Sequence, residues 1–251
     1  IGEVLKNRRL LTLDFGIFAL HAAQMALFTA LPFAMTQLGL EKIQHWKVYL
    51  PSTITGLVVM VPLIIVGETR NKLKQVFILG IACIAAAQLG LLSGMRSVGL
   101  ITAYLVVYFI GFNVLEASLP SMVSKIAPSD LKGTAMGVYN TMQSLGLFAG
   151  GAAGGLLFQK YGFAGVFAFC SVLMLLWLVI AVLSPAPKPV KNLSYPVGGV
   201  WQGNQDGLQR ALLQLEGVED IGFSFDRQTV YLKVLQKGFD QAAAEKIITG
   251  V

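Results

Sequence analysis

Between residues 10 and 183 the chain is a succession of six apolar stretches separated by short polar connectors, and this pattern restricts the fold more than any motif. The hydrocarbon core of a bilayer is about 30 Å thick and a helix rises about 1.5 Å per residue, so roughly 20 mostly apolar residues cross it. The stretches run Leu10 to Gln37, Val48 to Val66, Val76 to Ser93, Val98 to Ile126, Gly133 to Gln159 and Gly162 to Leu183. Their connectors, "GLEKIQHWK", "ETRNKLKQ", "SGMRS", "APSDLK" and "QKYG", are short. The pattern predicts an all-α membrane bundle of six transmembrane helices. Composition agrees, with 55% hydrophobic and only 13% charged residues.

Charge placement predicts the orientation, because cytoplasmic loops carry the excess of Lys and Arg. One side of the bundle collects Lys6, Arg8, Arg9, Arg70, Lys72, Lys74, Lys125, Lys132, Lys188 and Lys191, against Lys42, Lys47, Arg96 and Lys160 on the other. Ten against four puts both ends of the segment in the cytoplasm. The overall charge of +6 divides into +8 for residues 1 to 197 and −2 for 198 to 251. The basic surplus is therefore topological, and nucleic acid is not an expected partner. Cys83 and Cys170 lie within apolar stretches away from any His or second Cys, which predicts buried small hydrophobes. The chain opens on Ile1 with a basic flank and a span too long for a signal peptide, which predicts the later portion of a longer protein.

After Leu183 the composition changes. "SPAPKPVKNLSYP" holds four of the nine prolines, so residues 185–197 are expected to form an extended, semi-rigid linker between a membrane part at 1–184 and a soluble domain at 198–251. In that domain Leu208, Ala211, Leu212 and Leu215 share a helical face behind Asp206 as N-cap, and Gly217 stops the helix. Ile221, Phe223 and Phe225 alternate, a turn falls near Asp226 and Arg227, and Val230, Leu232 and Val234 return. A second helix follows in "FDQAAAEKIITG". With a strand around "PVGGVW", the order strand, helix, strand, strand, helix predicts a small α+β ferredoxin-like domain without a final strand.

Chemistry concentrates in the few polar residues inside the spans. Glu116 interrupts "YFIGFNVLEASLPSMVSK", and Asn113 lies one turn earlier on its face. A charged side chain at mid-membrane costs about 2.5 to 3.5 kcal/mol on insertion scales, so such residues face the bundle interior or a wet cavity. Desolvation favours the neutral form of a carboxylate, which is what a proton-coupling group needs. A static interhelical hydrogen bond is the alternative. His21 and Gln24 share a face of the first span with Asp14, whose place near the cytoplasmic end predicts an interfacial or capping role. Asn140 and Gln143 share a face of the fifth, and His21, Gln24, Asn113, Asn140 and Gln143 are candidates to line a solute path or to glue helices together. In "GLFAGGAAGGLL", Gly146, Gly150, Gly151, Gly154 and Gly155 repeat at four-residue spacing, which predicts close helix packing.

The loop "VGETRNKLKQ" places Glu68 before Arg70, Lys72 and Lys74. Together with the six spans and "KGTAMGVYNTMQSLGLFAGGAAGGLLFQKYG", it resembles the C-terminal half of a major facilitator superfamily transporter over residues 5 to 184, the drug:proton antiporter branch most of all. The resemblance implies a twelve-helix transporter in two halves, of which the N-terminal six-helix half is the partner of this one. It also implies a bacterial inner membrane location and a cytoplasmic charge latch at Glu68, Arg70, Lys72 and Lys74. Asn71 stands where the family pattern more often has Gly, which predicts a distorted turn and a weaker latch. The tail run "LEGVEDIGFSFDRQTVYLKV" resembles heavy-metal-associated domains, but "GGVWQGNQDG" lacks their Cys pair, so no metal is expected.

No nucleophile with its base, HExxH spacing or Gly-Lys-Ser phosphate loop is present, so an enzyme is not expected, nor any cofactor. The expectation is a proton-coupled secondary transporter exporting small hydrophobic or cationic compounds by alternating access, with Glu116 as the protonatable group. Phe15, Phe18, Met25, Phe28 and Phe112 offer an apolar path that fits such substrates. A nutrient or metabolite importer and a non-transporting sensor with a ligand-binding tail are the alternatives.

Overall fold

The structure, a computed structural model, describes residues 2–185, 190–224, 228–235 and 237–249. The expected placements of Lys188, of Phe225 and of the turn at Asp226 and Arg227 lie outside them. A short helix α1 (Gly2–Lys6) leads into α2 (Arg8–Gln37), followed by α3 (Trp46–Thr69), α4 (Leu73–Ser93), α5 (Val98–Ile126) and α6 (Lys132–Leu183). Among the described residues, α2 to α6 are the five helices long and apolar enough to cross a membrane.

Helix α6 runs for 52 residues, but Gly162 inside it has φ 61° and ψ −150°, a combination essentially restricted to glycine. The chain reverses there. Gly146, Gly150 and Gly154 meet Phe18, Ala22 and Ala26, so residues 132–161 run parallel to α2. Cys170 donates to the Ala23 carbonyl and Trp177 covers Gly16, so residues 163–183 run antiparallel to it. Two legs of α6 thus embrace α2, whose buried face is mostly Ala and Leu, interrupted by Asp14 and His21. The glycine stripe explains the first contact: a Cβ on Gly154 would lie 2.7 Å from the Ala26 Cα. Gly151 and Gly155 have open space around them, so two of the five expected packing glycines take no part in it.

The tail forms β1 (Val190–Pro196), a 3-10 turn at Gly199–Trp201, α7 (Gln205–Leu213), β2 (Val218–Phe223), β3 (Thr229–Leu235) and α8 (Gln241–Thr249). The antiparallel sheet has the order β1-β3-β2. Strand β1 lies inside the stretch whose prolines predict a linker, and the "PVGGVW" segment expected as strand turns instead. Proline is tolerated here because β1 is an edge strand with Pro196 at its end. The α7 N-cap is Asn204, whose side chain accepts from Gly207 N at 3.1 Å, not Asp206, which sits in the first turn. Leu208 and Leu212 pack with Val230, Leu232, Val234, Ala244 and Ile248 in a core separate from that of the bundle.

The other face of this sheet is docked on the bundle. Asp220 accepts from the Ser129 backbone N–H and hydroxyl, each at 2.8 Å, and Lys233 donates to the Ala127 carbonyl. Asp220 and Lys233 are cross-strand partners whose charged groups lie 4.0 Å apart, so one polar pair holds the α5–α6 connection. A Cβ on Gly222 would lie 2.8 Å from Ser129 Cβ, so the approach needs a glycine.

Candidate functional site

Glu116 on α5, His21 on α2 and Gln143 on the first leg of α6 converge inside the bundle. The His21 Nδ1–H points at the Ile17 carbonyl one turn back, 3.2 Å away, which leaves Nε2 as an acceptor for the Gln143 amide at 2.8 Å. In that tautomer the imidazole is neutral. Glu116 Oε1 lies 3.3 Å from the same Nε2, close enough to pair as ions but out of line for a hydrogen bond, and it has no other partner. Two acceptors facing each other across that gap repel unless a proton lies between them. Protonating either group puts a donor between Glu116 and His21, which a small shift of either side chain would turn into a hydrogen bond; protonating the imidazole also forces Gln143 to present its oxygen. The three side chains come from three different helices, α2, α5 and α6.

The site is reachable. Glu116 keeps 33% of its side-chain surface whereas His21 keeps 6%. Phe112 sets its ring edge-on to His21 at 6.0 Å and stacks on Tyr108 at 5.9 Å, so the surroundings are aromatic. Pro120 has no N–H to give the Glu116 carbonyl, which breaks the α5 ladder at Glu116.

The other candidates divide. Asn113 donates to the Thr53 carbonyl at 3.4 Å and ties α5 to α3, a packing role. Gln24 is half-buried and Asn140 exposed, and neither joins the cluster. Asp14 is no cap: Asn7 caps α2, accepting from Arg9 N and Leu10 N, while Asp14 is buried with Oδ2 unpartnered. Buried Tyr139 stands within electrostatic reach of both Asp14 and Glu116. Residue spacing along one helix had no means of showing that Asp14 faces inward or that Tyr139 approaches both carboxylates.

At the end of the bundle that carries the tail, Glu68 accepts from Lys125 at 2.8 Å and Lys74 donates to the Val182 carbonyl at 3.0 Å. Arg70 and Lys72 are exposed. Asn71 adopts φ 54°, the left-handed conformation that Asn tolerates, so the turn keeps its shape without the glycine. The expectation of a distorted turn is thus corrected. Lys125, 57 residues from Glu68 in sequence, is the partner that the loop pattern could not reveal.

An apolar helical bundle with ionisable side chains inside it is compatible with a membrane transport protein, and the comparisons with known proteins name the group. Residues 1–151 match the Major Facilitator Superfamily family model, and the chain belongs to that superfamily. It is 34% identical to the inner membrane transport protein YajR of Escherichia coli (strain K12) over 98% of its length and 54% of that protein. An uncharacterized transporter of Buchnera aphidicola subsp. Baizongia pistaciae is 30% identical over 72% of this chain and 46% of its own. The chain thus spans about half the length of these relatives. A crystal structure of the peptide transporter POT in complex with alafosfalin shares the fold with a TM-score of 0.59 and 19% identity, covering 82% of this chain and 44% of that one. Family and relatives are those of membrane transporters, not enzymes.

Proposed function

We propose that this chain is the C-terminal, six-span half of a proton-coupled secondary transporter that works by alternating access against an N-terminal six-helix half. The carrying observation is the His21, Glu116 and Gln143 cluster, because one proton there changes contacts among α2, α5 and α6. A ligand or proton biases two conformations only through different affinities for them, and this cluster supplies such a difference. The reversal at Gly162 divides α6 into the fifth and sixth spans. Counting both legs, the chain begins and ends on the same side, which the positive-inside rule makes cytoplasmic, in a bacterial inner membrane.

The aromatic surroundings of His21 suit small hydrophobic or cationic substrates and an efflux role. Glu68 with Lys125, and Lys74 with Val182, form a latch at the cytoplasmic end, with Arg70 and Lys72 as its exposed members. Gln24 and Asn140 are half-buried or exposed on the bundle and line the path toward the other half. Gly151 and Gly155, open on this half, are positions for close packing against it. The tail at about 190–249 is ferredoxin-like, its β1-β3-β2 order being that fold without its last strand. No cofactor takes part.

Proteoliposomes holding the full-length protein test the reading with lipophilic cations under an imposed pH gradient. Wild type is expected to move a compound in response to the gradient, and Glu116→Gln to bind it without that response. Equal behaviour of the two would remove Glu116 from coupling. A second reading, a sensor whose tail reports on the bundle, draws on the Asp220 and Lys233 contacts, and it gains if no solute moves at all.

A further inference from the structure

Two cavities adjoin where α2 begins, and both are walled by Arg8, Arg9 and Ile126. The first, of about 500 Å³, is charged and lies under the tail, with Lys125 and Lys233 across from the arginines. The second, of about 300 Å³, enters the bundle between helices and is lined by Leu13, Phe77 and Met122 beneath Lys74. Two carboxylates line the charged cavity: Asp220 is engaged by Ser129 and Lys233, and Glu219 stands within electrostatic reach of Lys233; nearby Glu68 is paired with Lys125. Among the described residues, neither Arg8 nor Arg9 has an ion-pair partner.

We infer that this pair of cavities binds one anionic phospholipid, its phosphate on Arg8 and Arg9 and one acyl chain in the apolar cleft. Guanidinium groups match phosphate oxygens in a two-point geometry, and basic pockets between helices at a membrane surface recruit anionic headgroups. A free anion satisfies the arginines but leaves the apolar cleft unused, whereas a phospholipid fills both. Because the charged cavity is roofed by Asp220 and Lys233 of the tail, the bound lipid lies against the same surface that docks the tail on α5.

The test uses delipidated full-length protein and native mass spectrometry, with phosphatidylglycerol, phosphatidylcholine and inorganic phosphate as separate probes. One phosphatidylglycerol is expected to stay bound in preference to phosphatidylcholine, and Arg8→Gln with Arg9→Gln to weaken it on the order of thirtyfold. Arg8→Lys with Arg9→Lys, which keeps the charge but loses the two-point geometry, should bind between wild type and the Gln variants, and a thermal melt of each variant checks that it folds. Ser184→Trp, at the rim of the apolar cleft, should weaken the lipid without changing the charge. Retention equal to that of phosphatidylcholine, or unchanged in the Gln variants, would overturn the inference. So would inorganic phosphate displacing the lipid, which would make this a site for free anions. The readout needs no transport and is independent of the proposed proton coupling.

Discussion

Glu116 shows how a single residue acquires a role from its neighbours. Alone in an apolar helix it is an expensive carboxylate; beside the His21 acceptor it becomes half of the proton site proposed above. His21→Ala removes one of the two facing acceptors. Gradient-driven uptake should then lose its pH dependence, while Gln143→Ala, which leaves the gap intact, should shift the profile without abolishing it. Uptake measured across a pH series separates the two outcomes. Gly150 offers a structural test at the same scale. A Cβ there would run into the Ala22 backbone, so Gly150→Leu forces α2 and α6 apart and should cost about 1 to 3 kcal/mol. A thermal melt of the purified protein would register that loss.

Between elements, the polar contacts at the tail end of the bundle divide into a weak tie and a strong one. Glu68 is 40% exposed, so its pair with Lys125 should couple by roughly 1 kcal/mol or less in a double-mutant cycle. The tail contact is drier. Burial lowers the Lys233 ammonium below its ordinary 10.5, opposed by nearby Asp220. In the window between the lowered folded value and 10.5 the unfolded chain holds the proton and the folded one does not, so stability rises with pH there. Relative to Lys233→Met, wild type should therefore gain stability as the pH climbs toward 10.5, as read from melting temperatures. Asp220→Ala should speed hydrogen exchange at Ser129, whose backbone N–H it accepts. Unchanged exchange would mean that the tail is held elsewhere.

At the scale of the whole molecule, the reversal at Gly162 decides the topology. If the two legs of α6 are separate spans, cysteines placed at Arg9 and Lys191 should react with an impermeant thiol reagent from one side of the membrane, and one at Arg96 from the other. Labelling of all three from the same side would refute that arrangement.

The six apolar stretches, the closing α+β element and the Glu116 anomaly were legible in the sequence because membrane thickness and the cost of a charge in lipid act on local composition. The β2–β3 alternation was legible for the same reason, each strand reading its own two faces. Strand β1 was not, since proline content speaks against a strand only when the neighbouring strand that pairs with it is unknown. The convergence of His21, Glu116 and Gln143, the pairing of Glu68 with Lys125, the inward turn of Asp14 and the docking of Asp220 on Ser129 needed the tertiary structure. Each joins residues from different elements, and hydrogen bonds and ion pairs depend on distances of a few ångströms that sequence spacing does not encode across a fold.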